Sequence, residues 1–149
     1  MQKITPFLWF DNQAEEAMNF YTSVFKNSKV GSVQRNGGSV MTASFTLDGL
    51  EFTALNGGPY YQLTPAVSFF IACQDQTEVD YYWDHLVEGG KALQCGWLTD
   101  RFGVSWQVVP EALGRLLGDP DSGRSGRAMQ AMLKMTKLDV AELERAATG

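Results

Sequence analysis

The sequence is poor in the side chains that usually build a catalytic metal centre. It contains one histidine, His85, and two cysteines, Cys73 and Cys95, whereas a catalytic divalent site normally takes about three protein ligands from histidine, carboxylate or thiolate. The cysteines form no CxxC pair and are too few for the disulfide framework of a small secreted protein. A nucleophilic pairing of Cys95 with His85 is the minor alternative, because most free cysteines are inert core residues. We therefore expect no metal and no other cofactor, two reduced and packed thiols, and a histidine that lies partly exposed on a helix.

Positive charge, long apolar runs and nucleotide-binding glycine motifs are also scarce. The net charge of -5 argues against a nucleic-acid surface, because phosphate contacts need a concentrated basic patch. No apolar run approaches the roughly 20 residues that span a bilayer, and the start MQKITPFLWFDN lacks the features of a signal peptide. The glycine pairs fit neither GxGxxG nor GxxxxGKS/T. We expect a cytoplasmic protein that binds neither nucleic acid nor membrane.

The composition that remains is that of an ordinary globular protein. Apolar residues make up 44% of the chain and charged residues 19%, which is far from the composition of disordered proteins. A length of 149 residues is enough to bury a self-sufficient core. We predict a single domain over residues 1–149, with one module over about 1–58, a second over about 66–110 and a helical tail over 111–149.

A repeat divides the chain. The segments FLWFDNQAEEAMNFYTSVF (7–25) and SFFIACQDQTEVDYYWDHL (68–86) share a layout of apolar run, polar cap residues and apolar positions at helical spacing. The pair Phe20-Tyr21 aligns with Tyr81-Tyr82 at an offset of 61. Each segment therefore predicts a strand, a turn and an amphipathic helix.

A hairpin pattern follows each predicted helix. The segment SVMTASFTLDGLEFTALNGG (39–58) alternates apolar and more polar residues and turns at Asp48-Gly49. The segment KALQCGWLTDRFGVSWQVVP (91–110) repeats this less regularly and turns near Asp100-Arg101. Residues 52–56 align with residues 104–108 at an offset of 52, which places Leu55 opposite Gln107. The predicted order is strand, helix and strands, twice.

The end of the chain has a different pattern. Pro110 and Gly118 bracket a short helix, and DPDSGRSG (119–126) is typical of a turn-rich loop. Beyond it, Met129, Met132 and Leu133 share one helical face, and a last helix capped by Asp139 runs through VAELERAA (140–147). We expect the methionine-rich face to pack on the protein's own sheet or on a partner subunit, with a binding groove as the alternative.

Three segments carry a more specific signal: PFLWFDNQAEEAMNFYTSVF at the start, DRFGVSWQVVP at the end of the second half and AMQAMLKMTKLDVAELERA at the terminus. With the two halves of strand, helix and strands, they resemble the PhnB-like branch of the glyoxalase/bleomycin-resistance (vicinal-oxygen-chelate) superfamily. The resemblance covers essentially the whole chain and extends to proteins labelled demethylubiquinone 3-methyltransferase. It implies an α+β fold in which two βαβββ modules form curved mixed sheets around a cavity, followed by C-terminal helices. It also implies a site built by two modules of one chain or of a dimer, and we expect a homodimer.

The resemblance also says where a metal would bind. Metal-dependent relatives place ligands on the first and last strands of each module, which correspond here to Thr5 or Pro6, Leu55 or Asn56, Val67 or Ser68, and Gln107. None of these is a strong metal ligand, and amide and hydroxyl oxygens hold transition metals poorly. Gln107 could serve only as a weak ligand through its carbonyl oxygen.

Gln107 stands out as the one amide in the apolar strand RFGVSWQVVP (101–110). Because alternate residues of a strand face opposite sides, we expect Val104, Trp106 and Val108 to face the covering helix. The other face would then carry Gly103, Ser105, Gln107 and Val109 towards the hollow of the resembled fold. An amide buried without a partner costs about 1–3 kcal/mol. Gln107 must therefore bind a ligand, water or a neighbouring strand, and the structural bond is the favoured case.

Three other groups of residues have plain structural explanations. Asp11, Glu15 and Glu16 cluster at a helix start, where capping and the helix dipole favour carboxylates. Arg124 and Arg127 could hold an anion at a helix N-terminus, but a solvated loop is the favoured interpretation. We expect most of a larger aromatic set to be core, although it could also line a pocket for a ring-bearing ligand; its members are Phe7, Trp9, Tyr60, Tyr61, Phe70 and Trp97.

Together these observations predict a cavity lined by Thr53, Ser68, Phe70, Ser105 and Gln107. The favoured function is binding, with or without transformation, of a small aromatic or partly apolar molecule in the absence of a tightly held metal. No catalytic residue is assigned. The alternatives are a methyltransferase, as in the label of the resembled proteins, and a divalent-metal lyase or dioxygenase of the same superfamily.

Overall fold

A computed structural model describes residues 2–149, and the chain divides into two compact units, one ending at Leu63 and the other covering Thr64–Gly149. The first unit contains β1 (Phe7–Phe10), α1 (Ala14–Val24), β2 (Ser28–Asn36), β3 (Ser39–Leu47) and β4 (Leu50–Asn56). The second contains β5 (Ser68–Cys73), α2 (Gln76–Val87), β6 (Lys91–Ala92), β7 (Trp97–Thr99), β8 (Ser105–Pro110), α3 (Glu111–Leu117), α4 (Ser122–Leu133) and α5 (Val140–Thr148). The predicted α+β class, with two successive βαβββ modules and C-terminal helices, is confirmed. Over residues 2–149, no helix is both long and apolar enough to cross a membrane.

In the first unit, one helix covers one face of a mixed four-stranded sheet. The strand order is β1-β4-β3-β2, with β1 parallel to β4 and the other neighbours antiparallel. The period-2 alternation of β3 and β4 and the 3.6-residue period of α1 bring their apolar residues together. The resulting core comprises Leu8, Phe10, Ala14, Ala17, Met18, Tyr21, Val24, Ala43, Phe45, Leu47, Phe52 and Ala54.

Helix α1 is capped by a residue from the far end of its own unit. The Asn56 side chain accepts a hydrogen bond from the Ala14 amide (2.8 Å) and donates one to the Val40 carbonyl (3.1 Å). Glu15 and Glu16 lie in the first turn of α1, where the helix dipole favours them as expected. The N-cap residue is Gln13, however, and it makes no side-chain cap bond. The first backbone amide of the helix, that of Ala14, has no acceptor within the helix and is instead bonded to Asn56, 42 residues later in the chain.

The second unit repeats the arrangement. Its sheet has the order β5-β8-β7-β6, with β5 parallel to β8. Helix α2 begins at the N-cap Asp75, whose carboxylate accepts the Glu78 amide (3.0 Å). It covers one face of the sheet, and the core there comprises Val79, Trp83, Leu86, Leu98, Val104, Trp106 and Val108.

The two predicted repeat offsets reproduce the strand register. Trp9 pairs with Leu55 in the first unit, and Phe70 pairs with Gln107 in the second. Adding 61 to residue number 9 gives 70, and adding 52 to residue number 55 gives 107, so the two offsets convert the first pair into the second. The rest of the parallel register follows the same rule, so the repeat seen in the sequence is a repeat of strand pairing.

A buried carboxylate shapes the turn between β7 and β8. Asp100 is 3% exposed, and its Oδ1 accepts the amides of Phe102 (2.8 Å) and Val104 (3.0 Å). Its Oδ2 accepts the indole N–H of Trp106 at 2.9 Å. The sequence indicated a turn here but not that its aspartate is the acceptor that joins the turn to β8.

The tail helices form a second apolar cluster against the end of β8. This cluster comprises Val109, Leu113, Leu116, Ala128, Leu138, Leu143 and Ala147. Val109 shares the strand face of Gln107, but it is 8% exposed because the tail covers it, so its predicted place in an open hollow is wrong.

Polar contacts fasten the tail to the sheet and to α2. The Gln76 side chain donates to the Leu138 carbonyl (3.1 Å) and accepts the Val140 amide (2.7 Å). The backbone amides of Cys95 and Gly96 donate to residues 135 and 136. The tail is therefore bonded to α2 and to the loop before β7 within the second unit.

Two details of the predicted tail are wrong. The segment predicted as a loop over 119–126 becomes helix from Ser122, because the Asp121 carboxylate caps the amides of Gly123 and Arg124. The predicted apolar face is also only partly buried: Met132 packs against the tail cluster, whereas Met129 and Leu133 are 40% and 52% exposed and the buried residue of α4 is Ala128.

The two tail arginines also have structural partners. Arg124 pairs with Asp119 at 3.4 Å. Arg127 donates to the Ala146 and Ala147 carbonyls, which lie in the last turn of α5, where a helix supplies few backbone donors. Both side chains lie on α4 rather than in a solvated loop.

Candidate functional site

The face of the second sheet opposite α2 carries a compact set of polar and aromatic side chains. Since Trp106 and Val108 are buried, strand alternation places Ser105 and Gln107 on the opposite face. The register extends this face into two rows across β5, β8 and β7. One row is Ser68, Ser105 and Thr99, and the other is Phe70, Gln107 and Trp97.

The amide of Gln107 is bonded to the neighbouring strand. Its Nε2 donates to the Ser68 hydroxyl at 3.0 Å, a structural bond to a neighbouring strand of the kind that the sequence analysis favoured. Within residues 2–149, no group donates a hydrogen bond to its Oε1, and no buried side-chain polar atom lacks a partner. The carbonyl oxygen of a half-buried amide, held in place by Ser68, is thus available as an acceptor.

The hydroxyl row is more enclosed. Ser105 is 1% exposed, and its Oγ lies 3.4 Å from the Thr99 Oγ1. Thr99 and Ser68 are half-buried. Sequence reasoning did not select Thr99, although the alternation of β7 around the buried Leu98 is a signal that could have identified it.

Aromatic rings flank the amide. Phe70 pairs with Gln107 from β5 and is 59% exposed, while Trp97 pairs with it from β7 and is half-buried. The expectation that most of the six singled-out aromatic residues belong to the core is wrong, because Phe7, Tyr60 and Tyr61 are also 60%, 81% and 69% exposed.

Four of the five predicted cavity residues lie together on this face. The fifth, Thr53, belongs to the first unit, where it pairs with Phe7 as Ser105 pairs with Ser68. Thr53 is half-buried on the face opposite α1, so it holds the equivalent position of the first module.

The positions at which metal-dependent relatives carry ligands do not fit a divalent ion. The Asn56 amide is occupied by the start of α1 and by Val40, and the Ser68 hydroxyl accepts the Gln107 amide. Over residues 2–149, no group of three or more histidine, cysteine, aspartate or glutamate side chains is placed to hold a metal. Neutral hydroxyl and amide oxygens remain, which bind transition metals poorly.

The thiols and the histidine have surroundings that do not favour nucleophilic chemistry. Burial raises the pKa of the Cys73 thiol to about 12, so the nucleophilic thiolate is absent near neutral pH. His85 is exposed on α2, as predicted, and its Nδ1 donates to the Tyr81 carbonyl at 2.7 Å. Both cysteines are free, with Cys73 buried and Cys95 half-buried.

Comparison with known proteins matches the fold and the sequence to one group. The family model described as 3-demethylubiquinone-9 3-methyltransferase matches residues 2–109. A solved PhnB protein from Bacillus cereus is 38% identical, with a TM-score of 0.67 over 71% of this chain and 97% of that one. No curated protein gives a significant match.

Two more distant structures share the fold alone. A protein from Pseudomonas aeruginosa is 22% identical with a TM-score of 0.62, covering 71% of this chain and 95% of that one. A protein described as a possible glyoxalase, from Bacillus cereus, is 16% identical with a TM-score of 0.50, covering 71% and 96%. From its match over residues 2–109 and its likeness to the PhnB structure, this chain belongs to the PhnB-like family described as 3-demethylubiquinone-9 3-methyltransferase, and it has the glyoxalase/bleomycin-resistance fold.

Proposed function

We propose that the open face of the second sheet binds a small, uncharged, ring-bearing molecule through Gln107. The observation that carries this proposal is the row in which Gln107 lies between Phe70 and Trp97. An amide between two aromatic side chains suits a molecule with an apolar ring and one polar substituent, because binding sites combine apolar walls with a few placed polar groups.

The hydrogen bond already made by Gln107 limits the kinds of ligand that it can bind. Its Nε2 is engaged by Ser68, so its Oε1 is the group left for the ligand, and it requires a donor such as a hydroxyl or an N–H. The two rows contain no charged side chain. A charged ligand would therefore lose hydration without gaining an opposite charge.

Thr53 supports a related role for the first module. It holds the position equivalent to Ser105, and its half-buried hydroxyl lies beside the exposed Phe7.

The proposal also includes a homodimer and a cytoplasmic location. Exposed apolar side chains on both open faces favour assembly, and two free thiols suit a reducing compartment. Sedimentation analysis of the purified protein tests the dimer.

Ligand binding is tested by a substitution with a matched control. A panel of small phenols, anilides and their saturated analogues is measured by thermal shift against the wild-type protein, Gln107→Leu and Gln74→Leu. Gln74 is an exposed glutamine of the same unit, so its variant repeats the chemical change outside the site. We expect Gln107→Leu to weaken binding by about 1–3 kcal/mol, because a ligand donor would lose its acceptor. Equal affinity in all three proteins would exclude Gln107 as a ligand contact.

The family description makes methyl transfer the second candidate. S-adenosylmethionine would be expected at a glycine-rich turn after the first strand of a parallel sheet. Here that turn is Asp11–Gln13, the sheet is mixed, and the first helical amide is already bonded to Asn56. These residues do not fit the methyl donor. We expect calorimetric titration with S-adenosylmethionine to give no heat of binding, and thermal unfolding in its presence to give an unchanged Tm. A clear rise in Tm would favour methyl transfer instead.

A divalent-metal lyase or dioxygenase is distinguished by metal analysis. The neutral donors of the open face predict no stoichiometric divalent ion in the purified protein. A bound ion that is present at one per chain and disappears in Gln107→Ala would overturn the proposal for an uncharged site.

A further inference from the structure

The first unit carries an aromatic arrangement that is separate from the Gln107 site. Trp9 lies on β1 between the buried Leu8 and Phe10, so strand alternation places its indole on the face opposite α1. It pairs with Leu55, which in turn pairs with Thr42. All three side chains are half-buried.

Contacts from the chain after β4 hold the indole in place. Its Nε1–H donates to the Gly58 carbonyl at 2.9 Å. The backbone of Gly57 lies against the ring, so that a Cβ at this position would overlap the indole. The ring of Tyr61 stands at 79° to the indole, with the centroids 4.9 Å apart. Trp9 therefore has a fixed orientation before any ligand binds, which lowers the entropic cost of binding.

The chemistry of the two rings indicates what they can bind. Because the indole N–H is already bonded to Gly58, the exposed part of this half-buried ring can meet a ligand only through its π-electrons and not as a hydrogen-bond donor. Tyr61 is 69% exposed, so most of its ring surface is not used by internal packing. Two rings at nearly a right angle can give a flat ligand one stacked contact and one edge contact at the same time.

We propose that Trp9 and Tyr61 form a binding site for a planar, electron-poor aromatic ring, stacked on the indole and in edge contact with Tyr61. Leu55 adds an apolar neighbour and Thr42 a hydroxyl. The site lies within the first unit and shares no residue with the row of Gln107, so it does not depend on the function proposed for that row.

The experiment uses the full chain and three probes. Anthraquinone-2-sulfonate supplies a planar electron-poor ring, cyclohexanesulfonate keeps the charge without the ring, and tetramethylammonium tests the cation that an indole can also attract. The four tryptophans are followed by their indole N–H signals in a 15N-labelled protein, and the Trp9→Phe spectrum assigns one of them. We expect anthraquinone-2-sulfonate to shift the Trp9 signal most and to bind at least tenfold more tightly than cyclohexanesulfonate.

Two variants measure the contribution of each ring to binding, and a third is the control. Trp9→Leu should weaken binding of anthraquinone-2-sulfonate by about 5- to 150-fold, the range of a lost ring stack, and Tyr61→Leu by about 2- to 10-fold. Tyr60→Leu is the matched control, because this neighbouring tyrosine is 81% exposed and should bind as the wild type does. The exposed side chain of Tyr61 keeps the test valid if Trp9→Leu does not fold.

Three results would overturn the site. The first is an unshifted Trp9 signal at saturating anthraquinone-2-sulfonate, and the second is wild-type affinity in the folded Tyr61→Leu variant. The third is tighter binding of tetramethylammonium than of the ring, which would make this a cation site. Gln74→Leu, which changes neither site, should leave the affinity unchanged. A shift of the Trp97 signal beside Gln107 instead of the Trp9 signal would place the ligand at the other site, so failure here and failure of the Gln107 proposal are distinguishable.

Discussion

Replacing the buried aspartate of the second hairpin tests how the edge of the candidate site is held. Asp100 accepts hydrogen bonds from two backbone amides and from the indole of Trp106. In Asp100→Asn, the Oδ1 of the amide can keep both backbone donors. Its NH2 group then faces the Trp106 N–H, so that two donors meet where a donor met an acceptor.

The structure sets the size of the expected effect. A hydrogen bond to a charged group contributes about 1.5–3 kcal/mol, and a buried donor left without an acceptor costs about 1–3 kcal/mol. Trp106 is 3% exposed, so water cannot easily replace the lost acceptor. We expect Asp100→Asn to lower the free energy of unfolding by about 2–3 kcal/mol, and Asp100→Ala by about 3–5 kcal/mol because both backbone amides also lose their acceptor.

The first hairpin provides the matched control. Asp48 is related to Asp100 by the repeat offset of 52, but it is exposed and has a φ of 48°. Asparagine tolerates that left-handed conformation well, so Asp48→Asn should change the free energy of unfolding by less than about 0.5 kcal/mol. Urea unfolding followed by far-UV circular dichroism measures all of these variants, and an unchanged m-value shows that the unfolded state is unaffected.

A double-mutant cycle gives the clearest refutation. Trp106→Phe removes the indole donor, so Asp100→Asn should cost at least about 1 kcal/mol less in that background than in the wild type. Equal effects of Asp100→Asn in both backgrounds, or equal effects at positions 48 and 100, would show that the buried hydrogen bonds do not stabilise the hairpin.

Two further predictions concern the second unit. Burial raises the pKa of the Cys73 thiol to about 12 from an ordinary value of 9.0. Above pH 9 the thiol therefore keeps its proton in the native state but loses it in the unfolded state. The free energy of unfolding should then fall as the pH rises above about 9. Between pH 8 and 10.5 we expect Cys73→Ala to lose about 2 kcal/mol less than the wild type in urea titrations; parallel curves would contradict this. Gln76→Leu should speed hydrogen exchange of the α5 amides by about 5- to 100-fold, because both bonds from Gln76 to the start of α5 are lost. Gln76→Glu, which keeps the acceptor for Val140, should have a smaller effect, and equal exchange in the two variants would argue that the bond to Val140 does not fasten the tail.

Part of the candidate site could be predicted because it depends on local periodicity. The alternation around Gln107 predicted that its side chain lies on the sheet face opposite to Trp106 and Val108. In the structure those two residues are buried and Gln107 is half-buried, as this predicts. The offset between the modules made Leu55 and Gln107 equivalent positions, and the register agrees, since Leu55 pairs with Trp9 as Gln107 pairs with Phe70. These predictions need only the direction of successive side chains along a strand.

Other parts could not be predicted because they depend on residues distant in sequence. Ser68 lies 39 residues from Gln107, and no local pattern marks it as the partner of the amide. Val109 follows the same alternation as Gln107 but is buried, because the tail helices return to cover it. The start of α4 depended on a single capping carboxylate, Asp121, in a segment whose glycines favour a loop.

The amino-acid sequence by itself determined the order of helices and strands, the repeat of the two modules and the face on which each strand residue lies, because these follow from periods of about two and 3.6 residues in the chain. Only the tertiary structure decided that Gln107 keeps a usable acceptor beside Ser68, that Asp100 is buried against Trp106, and that Trp9 is held by Gly58 and Tyr61. Each of these depends on a distance in space between separate segments, and strong local periodicity leaves such distances undetermined.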